Sequence, residues 1–287
     1  MKVWMDGQLV DRSAAKLSVY DHSTLYGDGV FEGIRTYGNR IFQTQSHVDR
    51  LYESARAIRL AIPYSKQEIV DAMVETVQAN RLGDSYIRLL VTRGEGNLGL
   101  NPFNCLRPSV VIINDYIQLY PKEMYEHGMA VIVAKTLRTS ARMVPPSVKS
   151  LNYLNNILAK IECIDAGVSE AIMLNEHGNV AECTGDNIFI VKAGALRTPP
   201  GEAGILMGIT RQVVLDLARK EGLGVCETDF TAQEVCAADE CFLTGTAAEV
   251  IPVTKVDSAV VGTGKVGPVT HRLRTAFHDY IRGGQWE

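Results

Sequence analysis

The chain is predicted to be an α/β protein of the α+β type, organised as two domains. Three observations predict it. Its 287 residues are long for one hydrophobic core and suit two domains or one large one. Apolar residues recur with helical spacing in some segments and alternate with strand spacing in others, in both halves of the chain. The strand-like runs are joined by hairpin turns more than by repeated strand–helix–strand units. Composition agrees: 46% apolar and 22% charged residues exclude a disordered, collagen-like or disulfide-scaffold chain. A net charge of −4 gives no electrostatic reason to expect a nucleic-acid or anionic-membrane partner.

The elements follow in order. Val3–Met5 and Gln8–Val10 flank Asp6-Gly7, a two-residue hairpin turn signal. Residues 21–29 are turn-rich. Val30–Tyr37 is a strand, and Gly38-Asn39 turns it back into residues 41–43. Ser46 is placed to cap a helix whose apolar face is Val48, Leu51, Ala55 and Ile58. Ser65 and Glu68 have capping-box spacing ahead of Ile69, Met73 and Val77, and Gly83 is the expected stop. Strands are expected at 85–93 and 109–114.

Residues 116–127 are polar and aromatic with a proline. They read as a linker between a domain at 1–115 and a larger one at 128–287. In the second, a strand at 129–135 precedes a helix from about Leu151 to Ala166, stopped by Gly167. Strands at 169–175, 179–183 and 187–192 are expected to form an antiparallel meander. A helix begins near Ile209, strands follow at 224–228, 239–244 and 249–254, and Pro268 opens a last helix.

Residues 1–13 lack the apolar core of a signal peptide, and the apolar runs are far below the ~20 residues needed to span a bilayer. A cytoplasmic protein without a membrane role is expected. The six cysteines form no C-x-x-C pair, so they are expected to be buried, reduced thiols, with no metal site.

Two stretches fit the G-x-G-x-x-G pattern, Gly94–Gly99 and Gly262–Gly267. Dinucleotide binding needs strand, glycines, helix and then a second strand. The first stretch runs into Leu100-Asn101-Pro102, which does not start a helix. The second precedes a helix with no strand after it. Both are expected to be turns, and a dinucleotide-dependent oxidoreductase is a remote alternative.

Four motifs remain, in order: Ser147-Val148-Lys149-Ser150-Leu151-Asn152-Tyr153-Leu154; Ala181-Glu182-Cys183 ahead of Asn187-Ile188-Phe189; Gly208-Ile209-Thr210-Arg211; and Thr244-Gly245-Thr246-Ala247-Ala248-Glu249. With Tyr26–Arg35 they make the chain resemble the branched-chain amino acid aminotransferases. These belong to the class IV, fold-type IV group of pyridoxal-phosphate enzymes. The resemblance runs from about residue 3 to residue 280. It implies a smaller N-terminal α/β domain, a larger C-terminal α/β domain with a barrel-like sheet, and the cofactor at the interface. It also implies a homodimer, because in related enzymes the segment like Leu98–Leu100 reaches the neighbouring subunit's pocket.

The same resemblance assigns roles. Lys149 is similar to the family's Schiff-base lysine, a nucleophile and then a proton carrier. Glu182 resembles the carboxylate that keeps the pyridine nitrogen protonated. Tyr153 stands near the ring hydroxyl, and it shares a face with Lys149 if the helix has begun there. Leu206 packs on the ring. The phosphate cup is Gly208, Ile209 and Thr210 at a helix N-terminus, with Thr246 and Arg50. Tyr26, Tyr86, Thr246 and Ala247 resemble the groups that hold the substrate carboxylate. Phe31 and Gly33 resemble the apolar wall of the side-chain pocket. Arg88 is the candidate for the distal carboxylate of the acceptor, 2-oxoglutarate, with Arg35 as its rival or a structural residue.

The implied activity is transfer of amino groups from leucine, isoleucine or valine to 2-oxoglutarate by a ping-pong route. Its partners are small amino acids and 2-oxo acids. Within the fold, D-amino-acid aminotransferase is the main alternative. Aminodeoxychorismate lyase and R-selective amine transaminase are further ones, as is a non-catalytic protein that merely binds the cofactor. The D-specific enzymes carry an R-x-H clamp where this chain reads Gly94-Glu95-Gly96-Asn97, and Tyr-Glu-Val where it reads Phe31-Glu32-Gly33.

Overall fold

The computed structural model describes residues 1–284 and 286. The chain divides into two compact units. One holds Met1–Ile117, Val148–Tyr153 and Trp286; the other holds Gln118–Ser147 and residues 154–284.

The first unit is a six-stranded antiparallel sheet in the order β2-β1-β6-β5-β3-β4. Strands β1 (Lys2–Met5) and β2 (Gln8–Asp11) form the expected hairpin. Asp6 and Gly7 both have positive φ, as that turn requires. In the turn-rich stretch a five-residue helix, α1 (His22–Tyr26), forms instead of a plain turn. Asp21 caps it and left-handed Gly27 ends it. It is too short to show helical periodicity in the sequence.

Strands β3 (Gly29–Tyr37) and β4 (Arg40–Ile41) follow. Helix α2 (Thr44–Ala57) starts earlier than its expected Ser46 cap, from a left-handed Gln43. Ser46 lies inside the first turn and donates its hydroxyl to Gln43 Oε1. Helix α3 (Lys66–Asn80) has the Ser65–Glu68 capping box in place. It ends at left-handed Arg81, ahead of Gly83. Strands β5 (Ser85–Thr92) and β6 (Ser109–Asp115) complete the sheet.

Val48, Leu51, Ile69 and Met73 from the helices meet Ile34, Ile87, Leu89 and Ile112 from the strands. Each buried side chain of this size contributes roughly 1.5–3 kcal/mol. Strand alternation then decides the site. With Ile34 and Ile87 turned to the helices, Phe31, Gly33, Tyr86 and Arg88 share the opposite face.

The second unit opens with α4 (Lys122–His127), just past buried Tyr120, which packs into this unit's core with Met124 and Tyr125. Strand β7 (Met129–Val133), helix α5 (Leu154–Asp165) and strands β8 (Glu170–Leu174), β9 (Val180–Cys183), β10 (Asn187–Lys192) and β11 (Ala195–Thr198) follow. Then come α6 (Ile209–Lys220), β12 (Val225–Glu227), α7 (Ala232–Cys236), β13 (Glu240–Gly245), β14 (Glu249–Val256), β15 (Ala259–Val260) and α8 (Pro268–Gly283).

The sheet order is β12-β11-β10-β13-β14-β7-β8-β9, with β15 beside β14. The expected meander is half present. Strand β9 pairs antiparallel with β8, but β10 pairs with β11 and β13. A tight turn, closed by Cys183 N–H to the Asp186 carbonyl, leads from β9 at one end of that order into β10 near the other. The sheet therefore curls on itself into a barrel-like form.

Three cysteines, 163, 183 and 241, are buried, whereas Cys105 and Cys236 are half-buried and Cys226 is exposed. Cys226 departs from the expectation because it sits on short strand β12, where its side chain faces outward. Among the described residues no helix is long and apolar enough to cross a membrane.

Candidate active site

In the first unit the site is built around residues 148–153. This segment is not the start of a helix, as α5 begins only at Leu154. It lies instead along β3. Ser150 bridges Val30, Phe31 N–H donates to the Lys149 carbonyl, and Leu151 N–H donates to the Gly29 carbonyl. Lys149 N–H donates to Ser54 Oγ on α2. The Lys149 and Tyr153 side chains meet all the same, with Nζ 3.1 Å from the phenol oxygen. Their shared face comes from this clamped extended turn and not from helical spacing. Lys149 Nζ lies 4.4 Å from the Phe31 ring centroid, and Phe31 packs edge-on to Tyr153.

The sheet face gathers the expected substrate residues. The Arg88 guanidinium lies over Phe31 at 4.7 Å and over Tyr86 at 5.5 Å. A Cβ on Gly33 would fall 1.8 Å from the Tyr86 hydroxyl, so the phenol crosses the strand where a side chain is missing. The Arg35 guanidinium stacks on Tyr37. Tyr26 donates its hydroxyl to the Leu98 carbonyl, beside the exposed Leu98 and Leu100.

Arg50 is held from behind. Its Nε and one terminal nitrogen donate to the two oxygens of fully buried Glu32, each at 2.8 Å. Glu32 also accepts from His47 Nδ1 at 2.8 Å. Burial alone would raise the Glu32 pKa, but the Arg50 and His47 charges hold it well below the usual carboxylate range. Burial, against the pull of Glu32, lowers the His47 ring below its usual value. The sequence motifs that contain Glu32 and His47 give these two residues no role. For Glu32 the available signal was alternation, since it shares with Val30 and Ile34 the strand face turned to α2, which carries His47.

In the second unit, Glu182 on β9 is buried and fixed at both oxygens. Arg138 Nε donates to Oε1 at 2.8 Å, while Leu206 N–H at 2.9 Å and Asn187 Nδ2 at 3.2 Å donate to Oε2. Arg138 is itself 3.3–3.4 Å from the Asn155 and Asn156 amide oxygens. Asn187 also donates to the Leu206 carbonyl. It stands so close to Gly208 that a Cβ there would fall 2.0 Å from Asn187 Oδ1. Gly208 is the N-cap of α6 and makes no side-chain cap, so the N–H groups of Ile209 and Thr210 face outward from the helix start. Thr246 and Ala247 lie in the turn that follows β13. Sequence reasoning missed Arg138 altogether. It is 44 residues from Glu182, and no local pattern marks it.

The two glycine-rich stretches are structural. Gly94 has a φ of +88° and lies against the Arg107 carbonyl. Gly267 caps α8, and Glu240 accepts the N–H groups of Val269 and Thr270 there. That helix start is already filled by a carboxylate.

Set beside known proteins, residues 29–256 match the family model described as amino-transferase class IV. A putative branched-chain-amino-acid aminotransferase of Methanocaldococcus jannaschii is 48% identical over 279 residues, 97% of this chain and 96% of that one. A crystal structure of the branched-chain amino acid aminotransferase from Thermobaculum terrenum, in its PLP-bound holo-form, superposes with a TM-score of 0.90 at 32% identity. That match covers 98% of this chain and 94% of that one. A D-alanine aminotransferase of Listeria monocytogenes is 37% identical, over 98% of this chain and 96% of that one.

Proposed function

This chain belongs to the class IV aminotransferases, and from that premise we propose how its residues exchange amino groups between branched-chain L-amino acids and 2-oxoglutarate. Its cofactor is pyridoxal 5'-phosphate. When bound, this group supplies an electron sink that lets the substrate's α-proton leave.

The residues present fit such a cofactor. Lys149 offers an amine set beside a phenol and an aromatic face. Glu182 offers a carboxylate ion-paired to Arg138. The α6 start offers uncapped N–H donors for a phosphate.

In the proposed assignment Lys149 Nζ holds the cofactor and later carries the α-proton. Tyr153 orients that nitrogen by its hydroxyl. Glu182 keeps a proton on the pyridine nitrogen. Ile209, Thr210 and Thr246 take the phosphate together with Arg50, and Leu206 packs on the ring. Phe31 and Gly33 wall the side-chain pocket. Tyr26, Tyr86 and the Thr246–Ala247 turn take the substrate carboxylate. Arg88, whose guanidinium can bind a carboxylate bidentately, is assigned the distal carboxylate of the acceptor.

The observation that carries this reading is the clamped Lys149–Tyr153 pair against Phe31, on the face that also holds Gly33, Tyr86 and Arg88. Residues 94–97 carry no arginine or histidine, which favours the branched-chain reading over the D-amino-acid one.

A homodimer is proposed as well. It is supported by exposed Leu98 and Leu100 and by an apolar stripe on α5: Leu154, Ile157, Leu158, Ile161 and Ile164 are between 47% and 67% exposed. The cytoplasm is the proposed setting, in keeping with six free thiols.

Titrating the holoenzyme with L-leucine and then D-alanine, without acceptor, tests the reading through the visible absorption of the bound cofactor. L-leucine is expected to convert it and D-alanine not. Conversion by D-alanine alone would overturn the pocket assignment. Lys149→Ala is expected to abolish turnover, and normal turnover by that variant would overturn its role.

A further inference from the structure

The second unit contains a cluster of ionisable side chains that the proposed chemistry leaves unused. Asp186 and Glu170 are both buried, and the buried Tyr120 hydroxyl lies between them. It is 3.0 Å from Asp186 Oδ2 and 3.2 Å from Glu170 Oε2. A phenol has one proton and donates one hydrogen bond. The second short oxygen contact therefore needs a proton on a carboxyl. Two ionised carboxylates around one hydroxyl, away from water, would also repel each other.

The surroundings say which carboxyl carries that proton. Glu170 Oε1 accepts the N–H groups of Ala171 at 2.8 Å and Thr184 at 2.9 Å, and Lys160 Nζ stands 3.8 Å from Oε2. That set of donors suits an anion. Asp186 faces Tyr120, the Glu170 and Glu182 carboxylates and the Cys183 thiol, and it also feels the Lys160 charge. Burial and the Glu170 charge push its carboxyl up to about 7.

The Asp186 side chain bears on one place. Asn187 pairs with Thr244, so Asp186 stands beside Gly245, and a Cβ built on Gly245 would fall 1.9 Å from Asp186 Oδ1. The carboxyl forms the floor beneath the start of the Gly245–Ala247 turn. Only glycine allows that approach.

We propose that Asp186 is a positioning residue kept protonated by its burial and by the neighbouring Glu170 carboxylate, and that its ionisation puts a negative charge under the Gly245–Ala247 turn and weakens binding of the substrate carboxylate. This rests on the reading of that turn as the anion-binding edge of the site. It makes the proton on Asp186 part of substrate affinity, although Asp186 touches no substrate.

The test compares KM and kcat of wild-type and Asp186→Asn holoenzymes from pH 6 to 9. Taking the ratio of the two KM values cancels the titration of the substrate's own amine. The ratio of wild type to variant is expected to rise by about tenfold, the scale of one close charge in a partly polar interior, with a midpoint near 7. Tyr120→Phe removes a hydrogen bond that favours the ionised form, so it should move that midpoint to higher pH. A flat ratio, or a pH-independent loss of kcat alone, overturns the proposal.

A second measurement does not depend on the substrate. The infrared difference between wild type and Asp186→Asn should contain a protonated-carboxyl band at pH 6 that is gone at pH 9. If that band is absent, the proposal fails with the activity intact. If D-alanine alone converts the cofactor, the branched-chain reading fails instead, and the KM ratio is then measured with D-alanine.

Discussion

Glu182 shows how much of this chemistry depends on neighbours far away in sequence. Arg138, Asn187 and the Leu206 N–H hold its two oxygens, so the carboxylate is fixed in one orientation. Glu182→Gln keeps the shape and removes the charge. The variant is expected to retain the cofactor's visible absorption yet lose about 10²–10³-fold in kcat, the scale set by removing one preorganised electrostatic contact. An unchanged kcat would mean that Glu182 does not face the pyridine nitrogen. Gly33 makes the complementary point. Its missing side chain is where the Tyr86 phenol lies, so two expected substrate residues prove to be one steric arrangement.

Among the elements, α5 is unusual because it is apolar on two sides. Ala159 and Cys163 are buried under it, while Leu154, Ile157, Leu158, Ile161 and Ile164 face outward. An apolar stripe of this kind on an isolated chain calls for a covering surface. If the proposed dimer is covered there, a charge at its middle, Ile161→Asp, is expected to shift the sedimentation coefficient from that of a dimer to that of a monomer, with the far-ultraviolet circular dichroism of the fold retained. A variant that still sediments as the dimer would place the interface elsewhere. The short elements teach a different lesson. Helices α1, α4 and α7 have five or six residues each, less than two turns, so no periodicity in the sequence reveals them.

For the whole molecule, two buried groups set opposite pH dependences of stability. His47 is pushed below its usual 6.5 by burial, so the unfolded chain takes up a proton that the folded one does not, and stability falls as pH drops through 6.5. Asp186 is raised from 3.8 to about 7, so the folded chain holds the extra proton, and stability falls as pH rises between those values. Each effect is worth up to about 1.4 kcal/mol per pH unit, and they oppose each other as pH falls below 6.5. The melting temperature of His47→Gln should therefore rise relative to wild type as pH falls through that range. That of Asp186→Asn should rise relative to wild type as pH climbs from about 4 to 7. Parallel melting curves across pH would assign the titration to other groups. Glu32, held well below the usual carboxylate range by Arg50 and His47 against its own burial, adds a further loss of stability only on the acid side of about 4.5.

Local patterns in the chain were enough for the hairpin at Asp6-Gly7, the capping box at Ser65 and Glu68, the helix opened by Pro268 and the strands β3 and β5. In each, the controlling interaction spans a few residues or follows a strict period of two. The identity of the motifs around Lys149, Glu182, Gly208 and Thr246 was legible for the same reason: each is contiguous. What tertiary structure alone decided is how those motifs are held. Lys149 meets Tyr153 through a backbone clamp on β3, not on a helix. Arg50 is braced by Glu32 across 18 residues, and Glu182 by Arg138 across 44. The proton between Tyr120, Glu170 and Asp186 exists only because burial brings three oxygens from separate segments within hydrogen-bonding reach. Low dielectric makes such contacts strong, and only the folded chain creates it.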